Sequence, residues 1–501
     1  MAGETLRERA LERGRPDHGP AGGGGRGGGA PRGLRTGPPS ARARVLVTVG
    51  TLLSLGLYAY VRHAIRFGMV DMVVYRDEGN TVRHGTDLYT MVVPQFHLVA
   101  TYPPFAAIMF EPTTYLPVGV LRVLVTGTNL VLLGVLARLS FQLADWPRRD
   151  VRPIAAVAVV GAGVWLEPVW TTLKYGQINL LIICLVLADL TRPDHARGKG
   201  LLIGIAAGLK LTPGVFGIYL LLTGRPRAAA VSFAGFLGTA LLGWIALPDS
   251  SERFWSHYLY DSHRVGVTSI PDNQSLRGAL ARLLHEPDPS LSWAVLAAVT
   301  AAGGLAVAAY ATRSHRHVPH AEAWGVVCAA VTALLISPIS WTHHWVWCVP
   351  LLVLLTAEAV TEQQRPRGAR HLRWRIVLGG GLATFLGYSM WLTPHSPRHS
   401  LATPWWQQPV SSPYPVFGLL LLGVALVRVL RRNRAGAAAG KIRRTEPRAR
   451  PTRLTSYAAA SGPRGPLVLM YDDQLERSSV QSVLCANRPG AVAQPVRAGD
   501  S

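Results

Sequence analysis

"LLIGIAAGLKLTPGVFGIYLLL" (201–222) is long enough to cross a bilayer, yet Lys210, Thr212 and Pro213 interrupt its middle and basic residues flank both ends. A bilayer core asks for ~20 consecutive apolar residues in one helix, and a lysine and a proline at mid-depth oppose that helix. Whether this run crosses decides the side of every loop that follows it. Read as a re-entrant hairpin or two short broken helices, it returns to the side it left, which is tolerated where backbone is buried in protein or lines a cavity. Read as an ordinary kinked span, it exposes one basic loop on the opposite side.

The rest of the chain favours the hairpin. Spanning segments are expected near 45–63, 118–140, 153–170, 178–190, 228–247, 293–312, 322–339, 344–360, 375–392 and 413–430. The loops "DWPRRDVR" (145–152), "TRPDHARGKG" (191–200), "TGRPR" (223–227), "TRSHRH" (312–317), "RPRGARHLRWR" (365–375) and "RRNR" (431–434) are basic. The excess of Lys and Arg on cytoplasmic loops assigns all of these, and both termini, to the cytoplasm. Segments 64–117, 171–179, 248–292, 340–344 and 393–412 then face the other way. They hold most of the Asp, His, Asn, Gln, Trp and Tyr that could do chemistry.

The expected fold class is therefore an all-α polytopic membrane protein, a multi-span helical bundle of about 10–12 segments with extracytoplasmic loops. Three regions follow: a basic, Gly-rich tail over 1–44, a transmembrane domain over 45–434, and a second basic tail over 435–501. Low complexity in the first tail and loss of periodicity in the second mark both as disordered, and their basic residues place them in the cytoplasm. The first is too long for the n-region of a cleavable signal peptide. Only 16% of the 501 residues are charged, and the net charge of +23 is concentrated in the tails and short loops. That placement fits topology control and anionic lipid rather than nucleic acid. Four Cys without CxxC spacing suggest neither a zinc site nor a disulfide framework.

Several residues are candidates for chemistry. Asp71, in "MVDMVVY", is a carboxylate among apolar neighbours just beyond the first span. Partial desolvation would make it a stronger base; taken alone, an isolated Asp reads first as a helix cap or a solvated loop acid. Asp77 and Glu78, beside Arg76, read as solvated or paired. "TYPPFAAIMFEP" (101–112) suits a helix in the membrane interface, with Tyr102 and Phe105 at headgroup level. "KYGQIN" offers Lys174, Tyr175, Gln177 and Asn179 at the mouth of a span, for sugar hydroxyls or for capping. "PDNQSLRG" adds Asn273, Gln274 and Arg277. "SPISWTHHW" (337–345) places His343 and His344 between tryptophans, for a phosphate or hydroxyl, or simply as an interfacial anchor. Adjacent histidines diverge on a helix, so no metal site is expected. No GxGxxG, Walker or GxSxG pattern occurs, and no cofactor is expected.

Taken in order, "DMVVYRDEGNTVRHGTDLY", "YPPFAAI", "YGQINLL", "AGLKLTPGVF", "DNQSL" and "SPISWTHHW" resemble the polyprenyl-phosphate-mannose-dependent mannosyltransferases of glycosyltransferase family 87, over roughly 65–360. The resemblance implies a GT-C-like membrane enzyme with an outer-face site, a polyprenyl-phosphate-mannose donor and an α-1,2-mannoside product on a glycolipid or polysaccharide. It matches Asp71 to the family's first-loop aspartate and His343–His344 to its outer-face histidine motif. Thr342 stands where the family often has an acidic or other polar residue.

The physical reading agrees with that reaction. A lipid donor dispenses with a nucleotide pocket. Phosphate leaves readily, so the reaction needs a base for the acceptor proton and positive or hydrogen-bonding groups for the departing phosphate. Asp71 suits the first role; Lys174, Arg277, His343 or His344 suits the second, and Lys210 could reach a lipid phosphate or the cytoplasmic interface. Single displacement would invert the anomeric centre. The alternative is a lipid-linked sugar flippase or other membrane transporter, for which Lys210 in the broken segment is the chief feature.

Overall fold

The computed structural model describes residues 38–363 and 372–445, with side chains up to residue 435. Most of both expected tails, and 365–371 of one basic loop, lie outside the described residues. Helical structure extends beyond both expected boundaries of the transmembrane domain, toward the termini. Helix α1 (Ala41–Ile65) starts four residues before the expected span, with Ser40 Oγ accepting from the Ala43 N–H as its cap. The last helix, Pro413–Thr445, runs past residue 434.

Among the described residues, six helices are long and apolar enough to cross a membrane, or seven if one bent pair counts as a span. The six are α1, α4 (Val118–Leu143), α10 (Pro226–Ala246), Ser290–Arg313, Thr342–Gln363 and Pro413–Ala435. The bent pair is α5 (Arg152–Gly163) and α6 (Glu167–Tyr175), turned through 74°. Expected spans at 178–190 and 322–339 are the shorter apolar helices α7 (Asn179–Leu190) and Ala321–Ile336. The chain is thus a helical, multi-pass membrane protein. Its only strands among the described residues are two-residue partners, Val92–Val93 and Leu98–Val99.

The segment 201–222 breaks as its Lys and Pro require. Helix α8 (Leu201–Leu209) ends at Lys210, whose backbone is extended, and α9 (Val215–Leu222) follows a short 3-10 turn. Helix α8 lies parallel to α10. A Cβ at Gly204 would come 2.3 Å from Ser232 O, and one at Gly208 2.0 Å from Thr239 Oγ1. Small residues at four-residue spacing are what let two membrane helices approach this closely. Helix α9 then returns, with Gly217 back beside Ser232. Segment 201–222 therefore enters and leaves at one end of the bundle, with Lys210 at its tip.

The basic loops meet at that end. Lys199 pairs with Asp194 at 2.7 Å, and Arg225 pairs with both Asp194 and Glu322. Asn433 Nδ2 donates to Ser314 Oγ. The polar segments meet at the other end, where Arg264 Nε donates to Ala100 O and Gln274 Nε2 to Ser411 O. The loop partition expected from the arginines is thus a physical one.

Between α1 and α4, helix α2 (Val70–His84) and α3 (Pro104–Phe110) fold over the polar end. Helix α2 carries Asp71 in its first turn and Arg83 and His84 in its last, complementing the helix dipole, and stops at left-handed Gly85. Helix α3, expected at the membrane interface with Phe105 at headgroup level, turns Phe105 into the protein instead. Phe105, Ala106 and Ala107 are buried, because it is packed between α2 and α10.

Candidate active site

Gly176 positions the first element of the site. Its φ of +73° ends α6 in the left-handed region, and a Cβ there would meet Met72 Cβ at 2.7 Å. Glycine alone combines that turn with that approach. The end of α6 therefore rests on the first turn of α2, and Gln177, the next residue, reaches Asp71. Gln177 Nε2 donates to Asp71 Oδ2 at 2.6 Å, while its Oε1 accepts from Tyr75 OH at 2.7 Å and Tyr102 OH at 3.3 Å. Tyr75 and Tyr102 also share a 2.9 Å hydrogen bond. One amide thus fixes a carboxylate and two phenols.

Asp71 borders a cavity of about 440 Å³ that opens at the polar end. Burial pushes its carboxyl up to about 6, against the Gln177 hydrogen bond and the Lys210 charge, which favour the ionised form. Across the cavity, Lys210 Nζ stands 2.8 Å from His344 Nε2 and donates to Asn179 Oδ1 at 3.1 Å. The lysine at the tip of the hairpin therefore points into the cavity, not toward the basic end. His343 also lines the cavity, and neither of its buried ring nitrogens has a hydrogen-bond partner. Its carbonyl is held by Asn179 Nδ2 at 3.0 Å and its ring by the edge of Tyr175, centroids 5.6 Å apart. A buried imidazole with both nitrogens unpaired is uncommon, since buried polar side-chain atoms are nearly always hydrogen-bonded.

Of the residues expected at the site, Asp71, Gln177, Lys210, His343 and His344 come together around the cavity, with Asn179 and Tyr175 supporting them. Lys174 is turned away, its Nζ 5.4 Å from the Trp391 ring. Asn273, Gln274 and Arg277 do not line this cavity, and the fold occupies their polar atoms. Asn273 Nδ2 donates to Thr268 O, and its Oδ1 accepts from the Ser275 and Ser340 N–H groups. Gln274 Nε2 donates to Pro271 O and Ser411 O while its Oε1 accepts from the Tyr414 N–H. Arg277 is paired with Asp288 and packed over Trp293.

Glu78 is not solvated as expected. It is fully buried, accepts from the Thr101 N–H at 3.3 Å, and burial raises its carboxyl to about 8. Tyr75, Tyr102 and Arg264 were not picked out as site residues by sequence reasoning. All three line the cavity, and only the Tyr-Pro-Pro turn signalled one of them. No group of three or more His, Cys, Asp or Glu able to hold a metal occurs among the described residues.

The model of glycosyltransferase family 87 matches residues 100–338. A Mycobacterium tuberculosis (strain CDC 1551 / Oshkosh) protein, named polyprenol-phosphate-mannose-dependent alpha-(1-2)-phosphatidylinositol pentamannoside mannosyltransferase, is 33% identical over 396 residues, covering 77% of this chain and 88% of that one. The chain belongs to glycosyltransferase family 87. Its counterpart of the same name in Mycolicibacterium smegmatis (strain ATCC 700084 / mc(2)155) is 33% identical over 77% of this chain and 92% of that one. A phosphatidylinositol mannoside mannosyltransferase of M. tuberculosis (strain ATCC 25618 / H37Rv) is 31% identical over 72% and 86% respectively. No solved structure matches the chain. The family 87 match spans Tyr102, Gln177, Lys210 and Arg264 but begins after Asp71 and ends before the histidines.

Proposed function

We propose that this family 87 enzyme transfers mannose from a polyprenyl-phosphate-mannose donor to a hydroxyl of a glycolipid, of the phosphatidylinositol mannoside class that its relatives' names specify. The observation that carries this reading is the cavity in which Asp71 faces Lys210, His344 and the unpaired His343. In the transfer, the acceptor oxygen attacks the anomeric carbon and gives its proton to Asp71. The bond from that carbon to the phosphate oxygen breaks, and its electron pair leaves on polyprenyl phosphate. Lys210 and His343 meet the charge growing on the phosphate, in a site where burial strengthens each interaction. One carboxylate acting as base on one side of the ring inverts the anomeric centre; a second displacement is not required.

The orientation belongs to the same proposal. The end holding the Arg-rich loops lies in the cytoplasm with both termini, and the cavity opens at the outer face of the cell membrane. Residues 45–434 form the catalytic unit. Purified full-length protein, given radiolabelled polyprenyl-phosphate-mannose and a phosphatidylinositol mannoside, should yield an extended, α-linked product. No transfer to that acceptor, or retention of the donor's anomeric configuration, overturns the reading. Single Cys replacements of Gln95 and Ser262 should react with an impermeant thiol reagent in intact cells, and one replacing Asp150 only after lysis.

A further inference from the structure

A second cavity of about 600 Å³ lies between the ends of α1 and α4 that flank the α1–α2 connector, and it shares no lining residue with the Asp71 cavity. Its two walls repeat one order of side chains. Along α1, Leu55 and Tyr58 give way to Arg62 and His63, with Arg66 at the helix's left-handed cap; along α4, Leu130 gives way to Thr126 and Arg122. The three- and four-residue spacing puts each series on one helix face. The groove is therefore apolar toward the bundle's middle and cationic at its rim. No acid lines it, and none forms an ion pair with Arg62, Arg66 or Arg122 among the described residues.

The guanidiniums are partly held. Arg62 donates to Thr126 Oγ1 and contacts Met69 Sδ at 3.2 Å, while Arg122 donates to Gly68 O at 3.4 Å and keeps a buried Nε with no partner. Helix α1 offers lipid a broad surface, with Leu52, Leu53 and Leu57 exposed. Arginines at the outer edge of a span run against the usual charge bias, and guanidinium groups match phosphate oxygens in two-point geometry.

We propose that this groove binds an anionic phospholipid. Its phosphodiester meets Arg62, Arg66 and Arg122, and an acyl chain lies along Leu55, Tyr58 and Leu130. The groove's chemistry is independent of the glycosyl-transfer reading; only the assignment to the outer leaflet rests on it.

The test is delipidated full-length protein in detergent, titrated with phosphatidylinositol and with diacylglycerol of the same chains, bound lipid being counted by native mass spectrometry. Wild type should bind phosphatidylinositol at least about tenfold more tightly than diacylglycerol, and the double change Arg62→Gln, Arg122→Gln should remove most of that preference. Arg66→Gln, at an exposed side chain that the fold does not use, should weaken binding about threefold without touching folding. Equal binding of both lipids by wild type, or unchanged affinity in both Arg66→Gln and the double variant, overturns the proposal. Phosphatidylglycerol separates the sources. If it binds as phosphatidylinositol does, the occupant is bulk anionic lipid; if it binds more weakly, the groove selects the acceptor's headgroup. Either result upholds a phosphodiester site. Asp71→Asn should bind these lipids as wild type does, so a failed transferase assay leaves the measurement standing.

Discussion

Two clusters of buried polar side chains sit at the same end of the bundle, and they differ in what they face. Around Asn273, Gln274 and Arg282, side-chain groups are bonded to backbone carbonyls and amides, so that loops 268–275, 338–341 and 411–414 are stitched together. Around Asp71, the groups hold one another and face a cavity, and His343 has two nitrogens with no partner at all. The first arrangement fixes a shape. The second lines a cavity, with the unpartnered His343 ring buried in its wall. Amino-acid type does not distinguish them, since both contain amides and cations, and each keeps a buried atom without a partner, Arg282 Nε in the first and the His343 nitrogens in the second; what sets the second apart is that its residues border the cavity of about 440 Å³.

The sharpest test of that contrast is the pair Asp71→Asn and Asn273→Ala. Asp71→Asn keeps the shape but removes the proposed base, and should lower turnover about a hundredfold or more. At pH 7 its melting temperature should equal or exceed wild type, because a neutral amide avoids the cost of burying a charge. Turnover within a few-fold of wild type would move the base elsewhere. Asn273→Ala should do the reverse. It strands the Ser275 and Ser340 amides and costs about 2–3 kcal/mol of stability, while whatever protein folds keeps near-normal kcat. A stable, slow Asn273→Ala enzyme would break the comparison.

His343→Ala removes the nitrogens that have no partner in the fold. It should lower the melting temperature only by the cavity left beside Tyr175, with no hydrogen bond lost, and lower kcat/KM about tenfold. A variant that melts early but turns over normally would return His343 to the structural class.

The smallest effect expected is in the pH profile. As the proposed base, Asp71 must be ionised to act, so activity should fall as pH drops through about 6. Gln177 donates to the carboxylate and so favours the ionised form. Gln177→Leu should raise the Asp71 pKa and move the acidic limb up by about half a unit. A limb that stays in place would detach Gln177 from the base.

Much of this was legible in the chain. The arginines sorted the loops into two ends because charge at a membrane edge is a one-dimensional property of sequence. Lys210 and Pro213 disclosed the break in 201–222 because neither fits the interior of a lipid-embedded helix. Asp71 and His343 were legible as polar groups where polarity is expensive. Less legible were partnerships across long stretches of chain. Nothing in "PDNQSLRG" tells that its amides are consumed by loops 65 and 137 residues away. Nothing in "YRDEGN" tells that Glu78 is buried, since that depends on α3 closing over α2.

The sequence by itself determined a multi-pass helical membrane protein, the division of its loops between two ends, and the residue types available at the polar end. Those follow from hydropathy and charge, which act locally along the chain. Only the tertiary structure decided which polar groups are used up inside the fold and which remain for chemistry. A hydrogen bond needs both partners within about 3 Å, and Asp71 meets Gln177, a residue 106 positions away, only because Gly176 lets two helix ends touch.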